Sequence, residues 1–112
     1  MQSKAILRRA RVSPQKARLV ADIVRGRDVD EAIEMLSFTR KKTAPMLRKL
    51  IESAVANAEN KNPEVDVDEL YVQTVHVDMG PSLRRWRPRA MGRATPVKKQ
   101  TSHITVILGT RE

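Results

Sequence analysis

Apolar positions along the chain recur with two different periods. Between Ser13 and Arg25 they fall at Ala17, Val20, Ala21 and Val24, with Leu19 and Ile23 widening the stripe. That is the 3.6-residue period of an amphipathic helix. Ser13-Pro14 is a start signal, because serine can cap and proline suits the first helical position. Gly26 fits the left-handed residue past the end. A second, short helix is predicted over Val29 to Phe38, burying Ala32, Ile33, Leu36 and Met35, with Asp28 and Glu31 reading as a capping box. After the basic turn Arg40-Lys41-Lys42, Thr43 is expected to cap a third helix over Ala44 to Asn60. Its stripe of Leu47, Leu50, Ile51, Ala54, Val55 and Ala58 is the most regular in the chain. The small residues Ala54 and Ala58 would let this helix lie close on a sheet.

Elsewhere the period is two. SKAILRRAR (Ser3 to Arg11), LYVQTVHVDM (Leu70 to Met79) and TSHITVIL (Thr101 to Leu108) alternate roughly in polarity, and the last two are rich in β-branched residues. Half-buried strands have this text. Lys61 to Glu69 is a polar, acidic loop between helix and strand. The pattern predicts an α+β fold: a three-stranded antiparallel sheet with strands near 2–11, 69–80 and 97–110, packed by three helices.

Between the last two strands neither period holds. GPSLRRWRPRAMGRATPVKKQ, residues 80–100, carries Arg84, Arg85, Arg87, Arg89, Arg93, Lys98 and Lys99 without a carboxylate, punctuated by Pro81, Pro88, Pro96, Gly80 and Gly92. Proline lacks a backbone donor and glycine resists ordering, so no regular helix is expected here. A core cannot hold so many unpaired cations. The stretch therefore reads as a long protruding β-hairpin, residues 80–100, reaching on the order of 30 Å from a body formed by 1–79 and 101–112 of a single domain. Pro96 is expected to break or bulge the ladder.

Charge sharpens this picture. The net charge is +9, but its distribution matters more. Residues 1–21 hold Lys4, Arg8, Arg9, Arg11, Lys16 and Arg18 and no acid, and residues 79–112 hold only Glu112 as an acid. The other acids lie between. If strand pairing joins the two ends, they make one basic face, the footprint of a polyanion binder. Arginine outnumbers lysine in the insert, which favours phosphate, and Trp86 suits stacking on an unpaired base of folded RNA as well as it suits packing on Leu83 or Met91. Lys16 and Arg18 in the first turns of a helix oppose its dipole, a hint of an anionic partner.

Other classes fit poorly. There is no cysteine, hence no disulfide framework or thiolate metal site, and no apolar run near membrane-spanning length. The N-terminus lacks a signal core, so a reduced, cytoplasmic compartment is expected. His76 and His103 lie in strand patterns without metal-ligand spacing, and no nucleophile elbow or phosphate-cradling glycine loop occurs. No enzyme, metal, cofactor, small-molecule substrate or membrane partner is expected. A basic DNA-binding protein is the alternative, since helix, Gly26 and short helix imitate a helix-turn-helix. Against it, the second helix opens acidic, with Asp28, Asp30 and Glu31.

Three blocks, SPQKARLVADIVRG, SAVANAENK and GPSLRRWRPRAMGRATPVKKQTSHITVIL, stand in this order and together resemble the bacterial branch of the large-subunit ribosomal protein L-twenty-two family over nearly the whole chain. The most specific block is PRA-x-GRA followed by a basic pair and TSHITV. The resemblance implies a structural protein that binds large-subunit rRNA and aids early subunit assembly. It implies a hairpin lining the nascent-polypeptide exit tunnel near its constriction, across from ribosomal protein L-four and close to where macrolides bind. The tip positions carried over are Leu83, Arg84, Arg85, Arg89, Ala90, Met91, Gly92 and Arg93. Ser13, Lys16, Arg18, Arg25 and Gly26 carry over as body contacts. With the basic residues, the expected rRNA-binding set adds Arg8, Arg9, Arg11, Arg27, Lys41, Lys42, Trp86, Arg87, Lys98, Lys99, Ser102 and His103. Met79, Trp86, Met91, Thr95-Pro96 and Gln100 depart from the family pattern.

Overall fold

The computed structural model of the protein describes residues 2–88 and 94–110, and for 83–88 and 94–98 the backbone alone. In chain order the elements are β1 (Gln2–Ala10), α1 (Pro14–Val24), α2 (Val29–Phe38), α3 (Thr43–Lys61), a 3-10 turn (Val67–Glu69), β2 (Leu70–Met79), β3 (Leu83–Pro88), β4 (Ala94–Lys99) and β5 (Ser102–Thr110). The sheet is antiparallel with order β1-β5-β2, so the last strand lies in the centre and joins the two termini of the body. β3 and β4 form a separate two-stranded sheet. The expected α+β class is the one observed.

One face of the three-stranded sheet carries the core. Along β5, Ser102, Ile104, Val106 and Leu108 are buried while the residues between them are half-buried. Ala5 on β1 and Leu70, Val72, Val75 and Val77 on β2 join the same apolar cluster. Against them pack Val20 and Val24 of α1, Ala32 and Leu36 of α2, and Leu47, Ile51, Ala54 and Ala58 of α3. Fully burying one such aliphatic side chain is worth roughly 1.5–3 kcal/mol, which makes this the face that decides strand register.

α3 approaches β1 closely because Ala54 and Ala58 present no bulk. Ser3 Oγ donates to the Ala54 carbonyl (3.0 Å), Asn57 Nδ2 to the Lys4 carbonyl (2.9 Å) and Lys61 Nζ to the Gln2 carbonyl (3.1 Å). α1 begins as expected, with Ser13 Oγ accepting from Lys16 N–H and Pro14 in the first turn. It is followed by Gly26 at φ +81°, a conformation that costs glycine little.

Four details differ from the pattern. Leu19 is 55% exposed rather than part of the core stripe. Asp28 takes the cap position of α2 but makes no side-chain cap bond, and Glu31 instead pairs with Arg27 at 2.6 Å. Thr43 is the first helical residue of α3 and is buried, with Lys42 in the cap position. Finally, the hairpin does not continue β2 and β5. The ladder is interrupted at 80–82 and at 100–101, whereas Trp86 and Pro96 pair with no register shift. A proline is tolerated in a two-stranded ribbon where its missing N–H falls on the outer edge. The radius of gyration is 17.2 Å and the long axis 65 Å, against about 13 Å expected for a compact chain of this length. Arg89, Ala90, Met91, Gly92 and Arg93, expected at the tip, lie outside the described residues, as do Arg111 and Glu112.

Candidate nucleic-acid interface

At the root of the hairpin, three parts of the chain enclose a groove of ≈ 1000 Å³. The connection from β1 into α1 supplies Arg11, Val12, Ser13, Lys16 and Leu19. The turn between α2 and α3 supplies Lys41, Lys42 and Thr43, and the end of β4 supplies Lys99 and Gln100. Five of the ten lining residues are cationic and none is acidic. Ser13-Pro14 and Thr43 also place the starts of α1 and α3 on this groove, and neither first turn contains an acid. A helix start carries partial positive charge on its unpaired N–H groups. Backbone and side chains thus add up to one positive concavity, with Leu19 and Val12 as its apolar part.

The local geometry holds the walls together. Val12 N–H donates to the Ala10 carbonyl (2.8 Å), which turns the chain sharply out of β1. Ser102 Oγ donates to the Val12 carbonyl (2.7 Å), tying that turn to the central strand. Lys42 Nζ donates to the Arg11 carbonyl (3.3 Å) across the groove. At the hairpin root Gly80 N–H donates to the Thr101 carbonyl (2.9 Å), and Thr101 Oγ1 donates to the Pro81 carbonyl.

A bulge adds two more cations. The register of β1 against β5 shifts between Leu7 and Ala10, and Arg9 sits at φ +56°. Strict alternation would bury position 9, but here Arg8 and Arg9 are both exposed and Ala10 is buried. His103 Nδ1 accepts the Arg9 N–H at 3.0 Å, which satisfies the group freed by the bulge and places the ring proton on Nε2. Nothing in the sequence signalled this: arginine is not a residue from which a left-handed position is predicted.

Other expected contact residues have internal partners. Arg18 donates through Nε (3.2 Å) and Nη2 (2.9 Å) to the Val77 carbonyl, which accounts for a cation early in α1. Arg25 pairs with Asp22 and donates to the Val75 carbonyl (2.9 Å). Arg27 pairs with Glu31 and donates to the Ile23 carbonyl (3.1 Å). These three arginines join helices to β2 or close α1 onto α2, and they remain partly exposed. Ser102 is fully buried, with its hydroxyl given to the Val12 carbonyl, and so lies beneath the surface and not on the groove. Arg11, Ser13, Lys16, Lys41, Lys42 and Lys99 are the expected residues that the fold brings together, and Val12, Leu19, Thr43 and Gln100 are groove residues that sequence reasoning missed.

On the hairpin the described register sets position 84 opposite 98, 85 opposite 97 and 87 opposite 95. Arg84 and Lys98 are therefore register partners on the two arms. Among the described residues no group of three or more His, Asp or Glu is placed to hold a metal ion, and no helix is long and apolar enough to cross a membrane. Among the described residues the one carboxyl displaced from its ordinary range is Asp68, raised by the negative charges of Asp66 and then Asp30. It lies in the 66–69 turn and not on the groove.

The family model described as ribosomal protein L22p/L17e matches residues 5–109. The large ribosomal subunit protein uL22 of Bdellovibrio bacteriovorus is 63% identical over 108 residues, spanning 96% of this chain and 97% of its own. The match runs through β1, all three helices, the groove and the hairpin, and the chain belongs to the ribosomal protein L22p/L17e family.

Proposed function

We propose that this chain is a structural component of the large ribosomal subunit, in the cytoplasm, that holds large-subunit rRNA in the groove at the hairpin root. The observation that carries the reading is the groove itself: Arg11, Lys16, Lys41, Lys42 and Lys99 with two helix starts and no carboxylate. Phosphate oxygens would take the places of counterions there, so the free energy of binding comes chiefly from counterion release. Arg8 and Arg9 on the bulge extend the basic surface toward the sheet. The hairpin reaches away from the body, its cations meeting RNA along the arm and its tip reaching the wall of the peptide exit tunnel, opposite ribosomal protein L-four. Binding several rRNA segments at once from one small body would help the early subunit to assemble.

The test is the salt dependence of binding to large-subunit rRNA. Replacing Lys16, Lys41 and Lys42 with alanine removes three exposed cations, Lys42 giving up its bond to the Arg11 carbonyl. The slope of log K against log salt is expected to become shallower by about 2–3, since each lost phosphate contact removes about 0.7–0.9. An unchanged slope would exclude the groove as the phosphate site. A duplex-DNA reading finds no support in α2, whose first turn carries Asp30 and Glu31. Equal affinity for duplex DNA and rRNA at physiological salt would revive it.

A further inference from the structure

Phe38 is the most exposed large apolar side chain among the described residues, at 80%, ahead of Met79 at 69% and Leu19 at 55%. It does not sit on a frayed helix end. Ser37 Oγ donates to the Ile33 carbonyl (2.9 Å), Thr39 Oγ1 to the Met35 carbonyl (2.8 Å) and Thr39 N–H to the Leu36 carbonyl (3.3 Å). Leu36, two residues earlier, is anchored in the core. The last turn of α2 therefore holds the ring out into solvent in a fixed place, at a cost in apolar exposure that the fold alone does not recover.

The basic turn just beyond Phe38 identifies its partner. Arg40, Lys41 and Lys42 are all exposed, and the last two line the groove. Lys41 is three residues from Phe38, at most about 11 Å of chain, so a strand with its phosphates in the groove brings a neighbouring nucleotide to the ring. Glu34, one turn back on α2, is exposed and disfavours a phosphate directly over Phe38, whereas a neutral base is not repelled. An apolar protein pocket would have to desolvate the three neighbouring cations in order to take the ring. We infer that Phe38 is a stacking platform for an unpaired nucleobase of the same RNA strand whose phosphates occupy the groove. This rests on the rRNA reading above and adds a contact of a different kind: stacking is sequence-tolerant and insensitive to salt, while the lysines act through charge.

The two contributions separate in one experiment. Full-length protein carrying F38A, F38L or F38W, or K41A together with K42A, is titrated with large-subunit rRNA over a range of salt. F38A and F38L are expected to weaken binding about 5- to 150-fold, the range for one lost base stack, with the salt slope unchanged. F38W should bind at least as well as the native chain. The double lysine variant should instead flatten the slope. Thermal melting should be unaltered in the Phe38 variants, because the ring is exposed. Ultraviolet crosslinking of reconstituted subunits should join a nucleotide to the peptide containing Phe38. Native affinity for F38A or F38L, with a flattened slope for the lysine pair, overturns the stacking and leaves the rRNA reading standing. An unchanged slope for the lysine pair sinks that reading itself. A crosslink from Phe38 to a protein neighbour in place of RNA also overturns the proposal.

Discussion

β4 and β5 are separated by Gln100 and Thr101 alone, yet they are stabilised in different ways. β5 is the centre of a three-stranded sheet, bonded on both edges and covered on one face by three helices. β4 is bonded on one edge to β3 and belongs to a sheet of two. A ladder of this second kind is marginal in water, and here it sets Arg84 opposite Lys98. Backbone pairing alone can shape a ribbon, but a covered face is what makes a strand independently stable. The body has the covered, three-stranded sheet that a stable fold needs, and the hairpin has a two-stranded ladder alone.

The largest expected effects fall on the two sides of that contrast. Ile51 is fully buried beneath the sheet, and Ile51→Ala should lower the stability of the free protein by about 2–5 kcal/mol, read by denaturant unfolding. Reversing the charges of Arg84, Arg85 and Arg93 together should leave that unfolding curve within about 0.5 kcal/mol of native while sharply weakening binding to large-subunit rRNA. If the charge reversals cost the free protein as much as the core truncation, the hairpin is part of the body's cooperative unit and the contrast is wrong.

The junction offers an intermediate effect. A Cβ added at Gly80 would lie 2.5 Å from Thr101 Oγ1 and 3.2 Å from His103 Cε1. Thr101 is buried and its hydroxyl is committed to the Pro81 carbonyl. Gly80→Ala should therefore force a shift at the point where the hairpin leaves the sheet, costing about 1–3 kcal/mol. Because His103 also accepts the Arg9 N–H, the same variant should disturb the bulge, seen as faster amide exchange at Arg9. Native stability with native exchange would mean the junction is loose.

This contrast also explains what could be read from the chain. Helices and sheet were legible because burial imposes a period: Ala17, Val20, Ala21 and Val24, or Ile104, Val106 and Leu108, repeat at the spacing of the face they cover. The hairpin strands showed no period in their sequence, and only the flanking strands and the excluded helix revealed them. The bulge at Arg9 and the side-chain bonds of Arg18 and Arg25 to the β2 backbone depend on residues dozens of positions away, so local text could not carry them. The groove was half legible. Its cations were named one by one, but their convergence with two helix starts depends on β5 pairing with both β1 and β2. Leu19 was misassigned for the same reason: a stripe widened by one residue reads as core unless the third dimension is known.

The smallest expected effect tests whether the body, too, carries charge repulsion, and how little that costs where water covers it. Asp68 lies in the turn before β2, and its carboxyl is raised above the usual range by the negative charge of Asp66 first and Asp30 second, with a hydrogen bond to Asp30 adding to the shift. A carboxyl whose folded pKa exceeds its unfolded one binds protons better in the native state, so stability falls as pH rises through that interval. The penalty is absent below the unfolded pKa and fully present above the folded one. Asp68→Asn imitates the protonated form and keeps the backbone N–H that donates to Asp66 Oδ1 at 3.0 Å. It should give a small rise in melting temperature at pH 7 and low salt, fading as the pH drops below the carboxylate range or as salt screens the cluster. A gain that persisted unchanged at pH 3 would show that the substitution acts through the turn's conformation rather than its charge. The body's like charges would then have no measurable cost.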